Sequence, residues 1–484
     1  MPTPKENWGK IFGNRLIFEH KQLQFAIHEP TVQHNIEILN AKQKAAYHAI
    51  TKSVNDRDGK LFFLNGCEGT GKTFLYNTIA TSCRLNGYIV VTVASSGIAS
   101  LLLAGGRTAH STFKIPPEIN EINVCSISKQ KEEAKFFKKV KLIIWDEVPM
   151  QHKFCMEAVD RTLKDVFENN LAFGGITVFM GGDFRQTLPI VPNGGREEVL
   201  GACVQKSSLW DNMTVLTLDQ NKRLDQCQPE NIDFAKFLLE VGTKQEEKVV
   251  LPSSVNRCGN IKELISKLYP CLGTSQQVSP EQLTERIILS VRNDDLYKIN
   301  MEALNILKGK TFTYLAADKL NPDESGRIPD YSNENLQNLY RPGMPPFKLD
   351  LKVGCPVILM RNLAPSEGLC NGTRLLVAKC RKHVIQGIIL TGDKAGEKVL
   401  LPRISFKPSA SELNVNMTRR QFPVRVAYAM TINKSQGQSV NGEQMNTQED
   451  LSNPGYEAAC GDQLCSKLFT VIFSLESGGG DKLL

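Results

Sequence analysis

Eight consecutive residues constrain this chain more than any others: Gly66-Cys67-Glu68-Gly69-Thr70-Gly71-Lys72-Thr73. They fit G-x-x-x-x-G-K-[ST] in full. The short apolar run LFFLN (61–65) precedes them, and TFLYNTIATSCRLNG, with helical texture ending at Gly87, follows. Strand, glycine-rich turn and helix in that order form a phosphate-binding loop. Gly66, Gly69 and Gly71 let backbone N–H groups, Thr70 included, curl around phosphate oxygens, and the helix N-terminus adds partial positive charge. Lys72 then reaches the β- and γ-phosphates and the Thr73 hydroxyl ligates Mg²⁺. ATP and Mg²⁺ are the expected substrate and ion.

The flanking pattern repeats the strand-helix alternation. YIVVTVA, KLIIWDE and GITVFMGGD read as further buried strands, and SSGIASLLL opens a helix. Such alternation implies a parallel sheet with ligands at the strand C-terminal ends. KLIIWDE leaves Asp146 and Glu147 at one such end. Asp146 suits Mg²⁺, and Glu147 suits orienting or deprotonating the attacking water. After about residue 223 the alternation returns more weakly in RIILSV, NDDLYKINMEALNIL and FTYLAAD. From Leu349, short runs separated by turn signals (GCPVILMRN, TRLLVAKC, VIQGIILTG, EKVLLPRISF) read as a small antiparallel barrel. VRVAYAMT reads as a buried strand again.

A length of 484 residues calls for more than one domain, and 41% hydrophobic with 23% charged residues is ordinary for a globular protein. No apolar run is long enough for a membrane span, and the first residues lack the apolar region of a secretory leader. The 13 cysteines show no Cys-x-x-Cys pairing, so reduced thiols are expected. A net charge of +7 permits a polyanionic partner without requiring one.

Two polar residues remain open from residue type alone. Gln186 in GGDFRQTLPIVP would either contact the γ-phosphate or sit on a surface loop. Arg223 in NKRL would either stabilise the transferring phosphoryl group or form a surface ion pair.

Taken in order, these blocks resemble the PIF-type DNA helicases of superfamily one, and most of all the helicase domain of Helitron transposons. LNAKQ, with Gln43, looks like the adenine-reading segment, and ASSGIASLLLAGGRTAHSTFKIP like the first DNA-contacting block. CMEAVDRTLKDV looks like the signature helix, LKVGCPVILMRNL and GLCNGTRLLV like the accessory SH3-like barrel, and AMTINKSQGQS like the late DNA- and nucleotide-coupling block. The match runs over about residues 38–440.

The resemblance implies an α/β fold of two RecA-like domains with parallel sheets plus a small SH3-like β-barrel insert. Domain 1 would span 38–222, with a wedge near 113–137. Domain 2 would comprise 223–345 and 424–440, with the barrel at 346–423, after an unassigned segment 1–37 and before a divergent tail 441–484. It implies 5′-to-3′ translocation on single-stranded DNA driven by ATP, acting on 5′-tailed duplex or G-quadruplex DNA. Repair, recombination, telomere maintenance or transposition would be the setting, as a monomer in the nucleus. By the same resemblance Thr108, His110, Ser111, Lys434 and Ser435 contact DNA, Gly437 belongs to the nucleotide-coupling block, and Gln186 and Arg223 take their phosphate roles. By type alone His110 is more readily a buried structural histidine.

The chain departs from the family after Ser439. No Leu-Ser-Arg follows Gln438, so a second arginine toward the γ-phosphate is missing and the second sheet is expected to lose a strand. Residues 1–37 hold no His-x-His pair, so the nuclease that Helitrons carry upstream is not expected within them. Two readings follow: an active ATP-driven translocase, or a catalytically weak ATP- and DNA-binding remnant. A P-loop kinase or GTPase would not explain the second α/β half or the antiparallel segment.

Overall fold

The computed structural model describes residues 14–192, 194–222, 229–243, 258–274, 279–290, 292–322, 327, 336, 343–392, 394–407, 416–436 and 470–473. Two compact units divide the chain, Met1–Lys244 and Gln245–Leu484. No helix among the described residues is long and apolar enough to cross a membrane.

In the first unit, helices α1 (Arg15–Phe25), α2 (Glu29–Glu37) and α3 (Ala41–Asp56) precede the sheet. Six strands follow: β1 (Leu61–Gly66), β2 (Ile89–Ala94), β3 (Arg107–Thr108), β4 (Val140–Asp146), β5 (Thr177–Gly182) and β6 (Met213–Leu218). All pair in parallel, in the order β3-β2-β4-β5-β1-β6. The central strands are apolar throughout because both their faces are covered. Leu61, Phe63, Ile143 and Trp145 enter one core layer, whereas Phe62, Leu64, Leu142 and Ile144 enter the other. Helices α4 (Lys72–Leu85), α5 (Gly97–Leu101), α6 (Ala109–Phe113), α7 (Glu132–Phe137), α8 (Lys153–Phe167), α9 (Arg196–Ala202) and α10 (Pro229–Thr243) complete the unit. Because α10 belongs here, the break between units falls at 244 rather than at the expected 222.

The expected wedge region, 113–137, is a loop followed by α7, pinned to the signature helix α8. Arg161 donates twice to the Asn123 carbonyl, at 3.0 and 2.7 Å, and the Cys125 N–H donates to Thr162 Oγ1 at 2.8 Å. That anchoring leaves Ile122 and Val124 exposed at the loop.

In the second unit, α11 (Ile261–Leu268), α12 (Pro280–Glu285) and α13 (Asn293–Ile306) surround a small parallel sheet. Its order is β18 (Ala429–Thr431), β7 (Ile287–Ser290), β19 (Thr470–Phe473), with both neighbours parallel to β7. The expectation that the divergent tail would leave this sheet short of a strand is therefore corrected: β19 comes from that tail and makes β7 central. On the other side, the Asn300 carboxamide donates to the Ala429 carbonyl at 3.0 Å and accepts from its N–H at 2.9 Å, satisfying the free edge of β18.

The antiparallel strands number more than expected. One ladder runs β14 (Lys398–Pro402), β13 (Val384–Ile389), β12 (Arg374–Cys380), β11 (Pro356–Leu359), β17 (Val424–Val426). Among the described residues it is open, with edges at β14 and β17. Two smaller ladders pair β8 (Phe312–Leu315) with β10 (Lys348–Leu351), and β15 (Ile404–Phe406), β16 (Met417–Gln421) and β9 (Ala317–Leu320) in that order. The boundaries expected at 346 and 423 thus move outward. Strands β8 and β9 pair with the antiparallel segment, and the buried Arg419–Asp318 ion pair, bidentate at 2.9 and 2.8 Å, fastens β16 to β9. At the other end β17 pairs antiparallel with β11, so the return to the parallel sheet lies between Val426 and Ala429.

Candidate functional site

The phosphate loop bridges β1 and α4 through two residues that need glycine. Gly69 and Gly71 take φ of +76° and +82°, where a side chain is strained. A Cβ on Gly69 would also lie 2.1 Å from Asn221 Oδ1, and one on Gly71 2.5 Å from Gln43 Nε2. The loop is closed by Thr70 Oγ1 donating to the Cys67 carbonyl at 2.7 Å. Lys72 donates to the Gly66 and Cys67 carbonyls at 2.6 and 3.1 Å, which holds its ammonium within the loop, while Thr73 is half-buried in the first turn of α4.

Gln43, expected to read adenine, contacts the loop backbone. It sits at the third position of α3 in a reciprocal cap with Asn40, accepting from the Asn40 N–H at 3.0 Å. Its buried amide donates to the Thr70 carbonyl at 3.0 Å. The geometry makes it a brace for the loop as well as a neighbour of any nucleotide there.

Asp146 and Glu147 close β4, both buried. Asp146 accepts from the Glu147 N–H at 2.9 Å, and Glu147 turns the chain with φ 53° and ψ 39°. Burial raises the Asp146 carboxyl above the usual range, against the pull of Lys72. Burial and the Asp146 charge push Glu147 up to about 8, with Asp183 and Glu68 adding to the rise and Lys72 opposing it. The Tyr76 phenol beside them is raised well above its ordinary value by burial and then by these carboxylates. Gly181 on β5 makes room for that phenol, since a Cβ there would meet the Tyr76 hydroxyl at 2.0 Å. A buried concentration of carboxylates with one nearby ammonium is matched to a divalent cation plus the phosphates it accompanies.

Residues after β5 bring a third wall. Asp183 is buried and accepts from Arg185 at both N–H (3.1 Å) and Nε (2.8 Å). Its second oxygen has no protein partner, and neither do Gln186 Oε1 and Thr187 Oγ1 nearby in the chain. Arg185 also meets the Cys67 thiol, so it links this turn to the phosphate loop. Asp183, Arg185 and Tyr76 were not singled out from sequence. An aspartate following a strand and its Gly-Gly was the available signal for the first.

Thr108 ends β3, and His110 and Ser111 follow it, at the same C-terminal side of the sheet. Thr108 caps α6, donates to Ser111 Oγ at 2.8 Å and leaves Ser111 exposed. His110 is exposed rather than buried, with Nδ1 at 3.4 Å from Gln151 Nε2. In the second unit, α14 (Ile432–Ser435) follows β18. Lys434 is half-buried, bonded to Asn371 Oδ1 at 3.3 Å, and brought down to about 8 by burial and by Arg425. Ser435 donates to the Ile432 carbonyl. Arg223 and Gly437 lie outside the described residues. Within the first unit, then, the structure brings together Gln43, the loop, Asp146, Glu147 and the Asp183–Gln186 turn.

Residues 38–250 match the family model for PIF1-like helicase, and residues 334–379 match that for the 2B domain of DNA helicase Pif1. Human ATP-dependent DNA helicase PIF1 is 26% identical over 408 residues, covering 83% of this chain and 56% of that protein. ATP-dependent DNA helicase Pif1 of Bdellovibrio bacteriovorus is 25% identical over 414 residues, covering 84% and 81%. The chain spans about half the length of several such relatives, at 56%, 44% and 47%. Among solved structures, Bacteroides Pif1 bound to ssDNA matches with a TM-score of 0.59 at 21% identity, covering 88% of this chain and 92% of that one. Pif1 helicase from Candida albicans matches with a TM-score of 0.58 at 21% identity, covering 90% and 95%. These structural likenesses show a shared fold of Pif1 type, and the family models lie over the phosphate loop, the acidic pair and part of the antiparallel segment. The chain belongs to the PIF1-like helicase family.

Proposed function

We propose that this chain is an ATP-dependent DNA helicase that couples ATP hydrolysis to 5′-to-3′ movement along single-stranded DNA. The observation that carries the reading is the meeting of Lys72, Asp146, Glu147 and Asp183 at the C-terminal ends of adjacent parallel strands. Each group has a task there. The loop N–H groups and Lys72 bind the phosphates, and Glu147 accepts a proton from the attacking water. Gln186, through its unpartnered oxygen, orients polar groups at the γ-phosphate. Thr73 and Asp146 would hold Mg²⁺, which supplies charge neutralisation at the β/γ oxygens when bound.

On this reading the DNA contacts come from Thr108, His110 and Ser111 in one unit and Lys434 and Ser435 in the other, groups suited to phosphate oxygens. A 5′-tailed duplex is the substrate of choice, with the chain acting as a monomer in the nucleus. The test is ATP hydrolysis with and without single-stranded DNA, followed by unwinding of 5′- against 3′-tailed duplex. Stimulated hydrolysis with unwinding of the 5′-tailed form alone is expected, and indifference to DNA would refute the reading.

The second reading, a weakly hydrolysing remnant, rests on the missing Leu-Ser-Arg after Gln438. It predicts nucleotide and DNA binding with little turnover. The missing strand no longer supports it, because β19 occupies the position beside β7.

A further inference from the structure

Tyr76 stands four residues along α4 from Lys72, on the same face of the helix. It is fully buried, at 0% exposure. Its ring belongs to the core layer that holds Leu64, Ile79 and Phe179, and it meets the Phe179 ring edge-on at 5.1 Å. Phenylalanine would fill that place equally well, so packing accounts for the ring and not for the hydroxyl. A buried hydroxyl ordinarily has a partner. This one closes no hydrogen bond of good geometry. The side chain within hydrogen-bonding reach of it is the Asp146 carboxylate. Its space is kept clear by Gly181 on β5, where a Cβ would meet the Tyr76 hydroxyl at 2.0 Å. The same Cβ would press on the Leu64 carbonyl at 2.9 Å, so the glycine serves the close pairing with β1 as well.

Asp146 has a use for such a donor. Its Oδ1 accepts from the Glu147 N–H at 2.9 Å, a bond from the adjacent residue, and Lys72 favours its charge from nearby. One backbone N–H leaves the carboxylate free to swing about its Cβ–Cγ bond. A second donor, carried by a different element, fixes it. An ionised carboxylate offers about four lone-pair sites, so two donors still leave oxygen for a cation. Partners behind a ligand in this way set its orientation and hence its grip on the metal. The phenol suits the task, because burial holds it well above its ordinary value and it keeps its proton to donate.

We propose that Tyr76 is a positioning residue of the nucleotide site: its hydroxyl donates to Asp146 and holds that carboxylate in the orientation that meets Mg²⁺. Tyr76 acts through Asp146 and not on the nucleotide. The proposal rests on the reading of Asp146 as the residue that holds the cation. One helix then serves both halves of the site, since α4 sends Lys72 to the phosphate loop and, a turn later, Tyr76 to the acidic end of β4.

The test is Tyr76→Phe in the full chain, read by binding of a fluorescent, non-hydrolysable ATP analogue at increasing Mg²⁺, so that turnover plays no part. Phenylalanine keeps the ring contacts, and thermal unfolding without nucleotide checks that the fold is retained. The Mg²⁺ concentration giving half the effect should rise by about ten- to a hundredfold. Affinity for the analogue in EDTA should not change. Asp146→Asn should show the same defect, and adding Tyr76→Phe to it should cost nothing further, as expected of two residues acting as one unit. Equal weakening in EDTA would make Tyr76 a support of the phosphate loop and overturns the proposal, and so do additive defects in the double variant. If the analogue's affinity ignores Mg²⁺ even in the unmodified chain, the cation reading of Asp146 fails and the role of Tyr76 falls with it. A Mg²⁺-dependent unmodified chain and a Tyr76→Phe chain with the same Mg²⁺ requirement would sink the role of Tyr76 alone.

Discussion

Replacing Glu147 by glutamine is expected to abolish turnover and at the same time to stabilise the first unit. The side chain is buried at 8% exposure beside Asp146, and its folded-state pKa is about 8 against an ordinary 4.5. A raised folded-state value means that the folded form binds the proton more tightly than the unfolded chain does. The stabilising contribution of that proton is complete below pH 4.5 and is lost as pH rises through about 8. At about 1.36 kcal/mol per unit, the loss by pH 7 is about 3 kcal/mol. Glutamine matches the neutral acid in shape and never ionises, so it escapes this loss. For a domain of this size, about 2–4 °C per kcal/mol converts it to a rise in Tm of about 6–12 °C. The assay is thermal unfolding of both forms without nucleotide at pH 5 and pH 8, then with Mg²⁺ and ATP. The variant should gain at pH 8, differ little at pH 5, and lose most of its advantage when Mg²⁺ and ATP neutralise the site. A Tm for Glu147→Gln no higher than that of the unmodified chain at pH 8, or a gain equal at both pH values, would refute the reasoning.

Lys72→Ala should remove hydrolysis, because among the described residues no other ammonium bonds to the loop carbonyls that now hold it; an ATPase rate equal to that of the unmodified chain would dismiss the assignment. Gly69→Ala should weaken nucleotide binding by at least tenfold, since its Cβ collides with Asn221 at a positive φ; calorimetric titration with ATP gives the answer, and undiminished affinity would show that the loop relaxes freely. Lys434, brought down to about 8, is charged below that pH and neutral above it, so single-strand affinity should fall between pH 7 and 9. Lys434→Arg, which stays charged, should flatten that dependence, and an identical profile in both forms would exclude Lys434 from the interface. Val471→Pro removes a backbone donor from β19 and should lower the unfolding midpoint of the second unit; no change in denaturant titration would mean that β19 contributes nothing to stability.

The nucleotide site was legible because its residues are contiguous and each is dictated by a local requirement. Glycines at positive φ, a lysine directly after the second of them, and an acidic pair at a strand end all leave their mark within a few positions. Arg185 left none: it matters through Asp183 and through Cys67, more than a hundred residues away in sequence, and one arginine in a loop looks like any other. Tyr76 was equally silent, since a buried tyrosine on a helix reads as core until Gly181 is seen to clear its hydroxyl. The strand textures of 312–318 and 424–431 were each read as one strand, whereas each run supplies two, with different partners. A short apolar run looks the same whether it lies in a parallel sheet or in the middle of an antiparallel ladder, so Val424–Val426 could not be separated from Ala429–Thr431 by pattern. The strand at 470–473 is only four residues long and carries no family motif, so nothing local in it declares that it pairs with β7.

That last strand has a consequence for how the second unit acquires its structure. β7 is flanked by one strand from about 140 residues downstream and another from about 180 residues downstream. Neither neighbour is available while β7 is being synthesised, and the antiparallel ladders lie between them in the chain. Contacts that distant in sequence slow folding, because the loop-closure entropy is spent before the pairing repays it. On the ribosome β7 therefore waits, unpaired and apolar, until nearly the whole chain has emerged. The first unit, whose parallel strands lie within the first 218 residues, can complete itself during that interval, and the second unit is where chaperone dependence during synthesis should concentrate.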